Sequence, residues 1–143
     1  DGIRDVERSR GLGDVYKRQI KRAMEKVSLD EFGTGRNFRL GIKGVEMAGK
    51  TGTVQVRRIS TKERESEEGV IKNEDRIWEW RDHALYVGYA PMDKPRYAIS
   101  VIVEHGGSGS SKAGPIARDI MEATLTDDPT RFIPKNPIKK PLI

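Results

Sequence analysis

The sequence predicts an α/β fold of the α+β type. Three antiparallel strands, over 45–58, 83–90 and 96–104, pack with a helix over 17–28 before them and a helix over 112–125 after them. Three observations predict it: apolar residues at helical spacing near each end, β-branched and aromatic runs between, and a proline-flanked turn joining the last two runs. A chain of 143 residues is the size of one domain or of an incomplete piece of a larger one. Hydrophobic and charged residues stand at 35% and 34%, where an ordinary domain carries more of the first and about a quarter of the second. The expected core is therefore thin, as in a fragment whose apolar faces pack on absent segments.

Taken in order, residues 1–19 show no sustained period and are expected to be a non-native or disordered leader. Ile20, Ala23, Met24 and Val27 then fall at i, i+3, i+4 and i+7 with Lys21, Arg22, Glu25 and Lys26 between them, an amphipathic helix whose stripe reads as core. Gly33, Gly35 and Asn37 mark a loop. Val45 to Arg58 carries the strand-like alternation of Thr53 and Gln55 against Val54 and Val56. Residues 59–82 are a charged excursion between strands, with Trp78 and Trp80 expected to pack beneath it. His83–Ala90 and Arg96–Glu104 form a hairpin around Pro91–Pro95; in the second run apolar residues occupy both parities, as in a strand covered on both faces. After the Gly106–Ser111 turn, Ala113, Ile116, Ala117, Ile120, Met121 and Thr124 line one face of the last helix. Residues 127–143, rich in proline and lysine, are expected to be a disordered tail.

Several function classes drop out. The 27 Lys+Arg give a net charge of +5, but 22 Asp+Glu are interleaved with them and only 6% of residues are aromatic, which argues against nucleic acid as a partner. No apolar run approaches the ~20 residues of a membrane span. There is no cysteine. His83 and His105 lack metal-site spacing and read as a strand-start residue and a loop residue, so no metal is expected. Asp82 and Glu104 read as solvated strand ends.

The stretch Met47-Ala-Gly-Lys-Thr-Gly-Thr-Val-Gln-Val56 carries the chemistry. As Gly44-x-x-x-x-Gly49-Lys50-Thr51 it satisfies a phosphate-loop pattern, which requires a helix to start at Lys50 so that its N-terminus meets the phosphates. Gly52 and the β-branched residues after Lys50 are poor helix formers, and the alternation is that of a strand. On a strand, the Lys50 ammonium and the Thr51 and Thr53 hydroxyls converge on a carboxylate, while Gly52 leaves room for a peptide alongside. Strict alternation puts Lys50 and Thr51 on opposite faces, so both serve one groove only on an edge or a strongly twisted strand.

The Lys50-Thr51-Gly52-Thr53 strand is followed by a charged excursion, then Arg81-Asp-His-Ala-Leu-Tyr-Val-Gly-Tyr-Ala-Pro91, then Val101-Ile-Val-Glu-His-Gly-Gly107 and a closing helix. This order resembles the C-terminal part of the transpeptidase domain of class B penicillin-binding proteins of cell elongation, over about residues 20–126. The resemblance implies an incomplete piece of a β-lactamase/transpeptidase-like fold, and a serine acyl-enzyme that cross-links peptidoglycan stem peptides ending in D-Ala-D-Ala and is acylated by β-lactams. By position it implies Lys50 and Thr53 as catalytic residues, Thr53 through its backbone N–H. Lys50, Thr51, Gly52, Thr53 and Gln55 are implied as substrate-binding. It implies no cofactor, a location on the periplasmic face of the bacterial inner membrane, an anchor in the missing N-terminal part, and a glycan polymerase and elongation-complex proteins as partners. No serine here has Lys three residues on or Asn two residues on, so the chain is expected to be a fragment without the nucleophile and inactive alone. A phosphate-loop nucleotide-binding fragment and an inactive interaction module are the alternatives.

Overall fold

The computed structural model describes residues 2–67 and 69–127, with side chains from Gly13 onward. Helix α1 (Gly2–Leu29) leads into β1 (Ala48–Val54), a short α2 (Thr61–Glu65), β2 (His83–Ala90), β3 (Tyr97–Val103) and α3 (Gly114–Asp127). The strands form one antiparallel sheet in the order β1-β2-β3, so β1 lies at an edge. The expected α+β class holds, with differences inside it. Of the tail expected over 127–143, Asp127 ends α3 and the rest lies outside the described residues.

The helix expected over 17–28 begins at Gly2, and residues 2–19, expected as a disordered leader, are helical. Propagating a helix adds one hydrogen bond per residue fixed, and the stretch holds no proline, so Gly11 and Gly13 do not stop it. The stripe expected as core is only partly covered: Met24 and Val27 are half-buried, whereas Ile20 is 60% exposed.

β1 is shorter than the expected 45–58. The limit is its partner: Val54 pairs with His83, the first residue of β2, so no backbone remains to pair with Gln55 onward. The chain leaves the sheet there, and the Val56 N–H donates to Asp82 Oδ1 at 3.3 Å instead. The last helix is preceded by a π-helical turn at Gly109–Ala113, so regular α3 starts at Gly114 and not at 112.

One face of the sheet carries the core. Ala84, Tyr86 and Ala90 of β2 meet Ala117, Met121 and Leu125 of α3, with Phe38, Leu40, Val45 and Met47 closing the side. Tyr86 packs edge-to-face on Phe38, ring centroids 5.3 Å apart, and lies across Gly49 and Gly88, where any side chain would collide with its ring. The Tyr86 hydroxyl is buried without a hydrogen-bond partner among the described residues, and burial pushes its phenol well above the usual tyrosine range. The opposite face of the sheet holds Val54, Val87 and Ile102, all exposed, so β3 is covered on one face only and not on both as its composition suggested.

The excursion over 59–82 is ordered by polar contacts. Ser60 caps α2 by accepting from the Glu63 N–H at 3.2 Å, and Glu63 pairs with Arg57. Arg76 is buried and reaches both Asp82 carboxylate oxygens at 3.2 Å. Asp82, expected as a solvated strand end, is therefore an ion-pair partner inside the fold. Trp78 and Trp80, expected beneath the excursion, are 57% and 55% exposed. Trp78 leans on His105 at 4.3 Å between ring centroids, and His105 meets the His83 ring edge-on at 4.7 Å.

Candidate active-site wall

Lys50 to Val54 is extended and paired with Val87 to His83, and no helix begins at Lys50. The backbone therefore lacks the helix N-terminus that a phosphate loop needs, which overturns the nucleotide alternative. The register places Lys50, Gly52 and Val54 on the sheet face of Val87 and Leu85, and Thr51 and Thr53 on the face of Tyr86 and Ala84. The two sets therefore leave the edge strand β1 on opposite faces.

Each sequence-identified residue has a distinct setting. Lys50 is exposed, and its Nζ donates to the Thr51 carbonyl at 2.6 Å. Thr51 is half-buried. A Cβ built on Gly52 would meet only Leu85 Cβ, at an ordinary 3.4 Å, so this chain leaves the space over Gly52 open. Thr53 is exposed at the edge. Gln55 is exposed one residue beyond the strand, and β1 does not hold it in the wall.

A residue that pattern reading passed over joins them. Thr34 Oγ1 lies 3.0 Å from Thr51 Oγ1. Thr34 stands between Gly33 and Gly35, and the turn is tied to the end of α1 by Gly35 N–H donating to the Val27 carbonyl at 2.9 Å. A side chain at Gly33 would run into that same carbonyl, and one at Gly35 would come within 3.0 Å of it. Arg39 adds to the tie by donating to the Ser28 and Leu29 carbonyls at 3.2 and 3.0 Å. The wall thus carries the Thr51 hydroxyl, with Thr34 against it, and the Thr53 hydroxyl at one face of β1 and the Lys50 ammonium at the other, donors of the types that suit a carboxylate. The Gly-Thr-Gly string was the available signal, but it reads locally as a loop.

One to two turns earlier in α1, Lys21 sits over the Tyr89 ring at 5.6 Å, and Tyr89 Oη approaches Glu25 Oε1 at 3.5 Å. Burial, and then the Glu25 carboxylate, push the Tyr89 phenol up. His83 and His105 form a structural pair: the His105 backbone N–H donates to His83 Nδ1 at 2.9 Å, and His105 Nδ1 lies 3.0 Å from the Arg81 carbonyl.

The family model of the penicillin-binding protein transpeptidase domain matches residues 13–122. The chain belongs to that family. Among its relatives, the peptidoglycan D,D-transpeptidase MrdA of Haemophilus influenzae is 38% identical over 105 residues, covering 73% of this chain and 15% of the relative. MrdA of Escherichia coli K12 is 31% identical over 130 residues, 88% of this chain and 19% of the relative. Of solved structures, Pseudomonas aeruginosa PBP2 in complex with WCK 5153 superimposes with a TM-score of 0.54 at 32% identity, over 80% of this chain and 21% of that one. Helicobacter pylori PBP2, solved in a complex with MreC, gives a TM-score of 0.54 at 32% identity over 72% of this chain and 16% of that one. The chain spans between about a seventh and a fifth of the length of these relatives. The partial match agrees with a three-stranded portion of a larger transpeptidase sheet.

Proposed function

We propose that this chain supplies the Lys-Thr-Gly wall of a peptidoglycan D,D-transpeptidase site. The observation that carries the reading is the extended, edge-strand conformation of Lys50–Val54, with Thr34 and Thr51 hydroxyls in contact beside it. The substrate is a stem peptide ending in D-Ala-D-Ala, and β-lactams compete for the same place. Lys50 brings positive charge to the terminal carboxylate and to the nucleophile; Thr51 holds the carboxylate; Gly52 gives the peptide clearance; and the Thr53 N–H faces the oxyanion that develops during acylation. The serine nucleophile is not among these residues, so the 143-residue chain alone forms no acyl-enzyme. The site works on the periplasmic face of the inner membrane, beside a glycan polymerase and elongation-complex proteins; the complex of the related Helicobacter PBP2 with MreC supports such a setting.

The test grafts residues 13–122 in place of the matching segment of Haemophilus MrdA and measures labelling by a fluorescent penicillin. The graft should label, and Lys50→Ala should slow labelling by a factor on the order of 10² to 10³, the scale of losing a preorganised charge donor. Equal labelling with and without Lys50 would overturn the reading, as would labelling of the 143-residue chain by itself.

A further inference from the structure

We infer that Gly109 is a positioning residue for the wall: the π-helical turn it opens is a backstop that sets where Gly52 and Thr53 present their backbone. Resting on the transpeptidase reading for its ligand, the inference concerns a residue 56 positions beyond Thr53 that no motif marks.

Gly109 is buried against the junction of β1 and β2 at the Gly52–Leu85 pair. A Cβ on Gly109 would collide with the carbonyl oxygens of both Gly52 and Leu85 and lie 2.9 Å from the Gly52 nitrogen. These are backbone atoms of two paired strands, which cannot swing aside as a side chain can. Gly109 does not adopt a positive φ, unlike Gly107 at 82°. The requirement at 109 is therefore one of space alone.

The turn cannot easily retreat either. Its start is tied by Gly107 N–H donating to the Asp82 carbonyl at 2.7 Å, and Asp82 is itself held by Arg76 and, through its N–H, by Asn73 Oδ1 at 2.8 Å. Within the turn, Lys112 N–H donates to the Ser108 carbonyl at 3.0 Å. Its end is fixed by Ala113, fully buried in the core, where the chain passes into α3. One added methyl must push β1 outward at Gly52, and carboxylate recognition is sensitive to displacements of about an ångström.

The experiment uses the full 143-residue chain and diacetyl-L-Lys-D-Ala-D-Ala, as the free acid and as the C-terminal amide, followed by amide NMR shifts. Gly109→Ala should move the Gly52 and Thr53 amide resonances before any ligand is added. It should weaken the free acid on the order of 10- to 100-fold and shrink the acid-over-amide preference, an effect that general loosening would not produce. Ser110→Ala on the same turn should do neither. Unmoved Gly52 and Thr53 amides, or an unchanged acid-over-amide preference in Gly109→Ala, overturns the inference. If Gly109→Ala does not fold, the unsubstituted chain decides: a nuclear Overhauser contact from Gly109 Hα to the Gly52 amide supports the backstop, and its absence removes it. If the unsubstituted chain ignores both peptides, the transpeptidase reading fails, while the ligand-free amide shifts still judge Gly109.

Discussion

At the scale of single residues, Tyr86 carries the clearest expectation. Its hydroxyl is buried and unpartnered, and such a group costs about 1–3 kcal/mol relative to a satisfied one. Tyr86→Phe keeps the edge-to-face contact with Phe38 and should stabilise the chain by about 1 kcal/mol in urea unfolding. The pH dependence has a definite sign. The folded phenol titrates above the unfolded one, so the folded state holds its proton longer; stability is full below the unfolded tyrosine value of about 10 and is lost as pH rises beyond it. Tyr86→Phe should therefore lose less stability than the parent chain between about pH 9.5 and 11, and equal slopes would refute the burial account. At this scale the sequence was half legible. Lys50, Thr51, Gly52 and Thr53 could be named from local pattern, because a strand brings near neighbours together. Thr34 could not, because its link to Thr51 spans 17 residues and exists only once α1 has docked on β1.

At the scale of elements, the excursion over 59–82 is tied to the sheet mainly through Asp82. The residue accepts from Arg76 and from the Val56 N–H, so it joins the excursion to the end of β1. Removing one member of a buried pair strands the other; Arg76→Ala should destabilise by about 3 kcal/mol and speed hydrogen exchange at Val56. The double change Arg76→Met with Asp82→Asn should recover part of that loss, and no recovery would mean that the pair is not the tie. Strand 83–90 could be read to the residue because alternation, the turn at Pro91 and pairing on both sides all agree. The end of β1 could not, since its pattern runs on past Val54 while its partner stops. The length of α1 was missed because residues 2–19 lack the apolar stripe by which a helix is recognised, although they can continue one.

At the scale of the whole molecule, one face of the described sheet carries the core, while the other is covered by α1 at Ala48 and Tyr89 and open beyond them. Val54, Val87 and Ile102 are exposed there, with Ile102 63% open. Exposed apolar side chains on a sheet face attract apolar ligands, so the chain should bind a hydrophobic dye such as anilinonaphthalene sulfonate in its native state. Val87→Lys with Ile102→Lys should abolish most of that signal while leaving the circular dichroism intact; an unchanged signal would mean that the dye reads some other surface. The fold class was legible because three levels of pattern agreed, whereas the exposure of Val87 and Ile102 was not, since apolar strand residues look alike whether or not anything covers them. The placement of the two tryptophans has a practical consequence. Both sit at the rim, at 78 and 80, and the buried core contains none. Intrinsic emission therefore watches the excursion peel away from His105 and is blind to the collapse of the packing around Phe38 and Met121. A melting curve followed by tryptophan light should precede one followed by backbone ellipticity, and the gap between the two is a direct gauge of how loosely the rim is fastened.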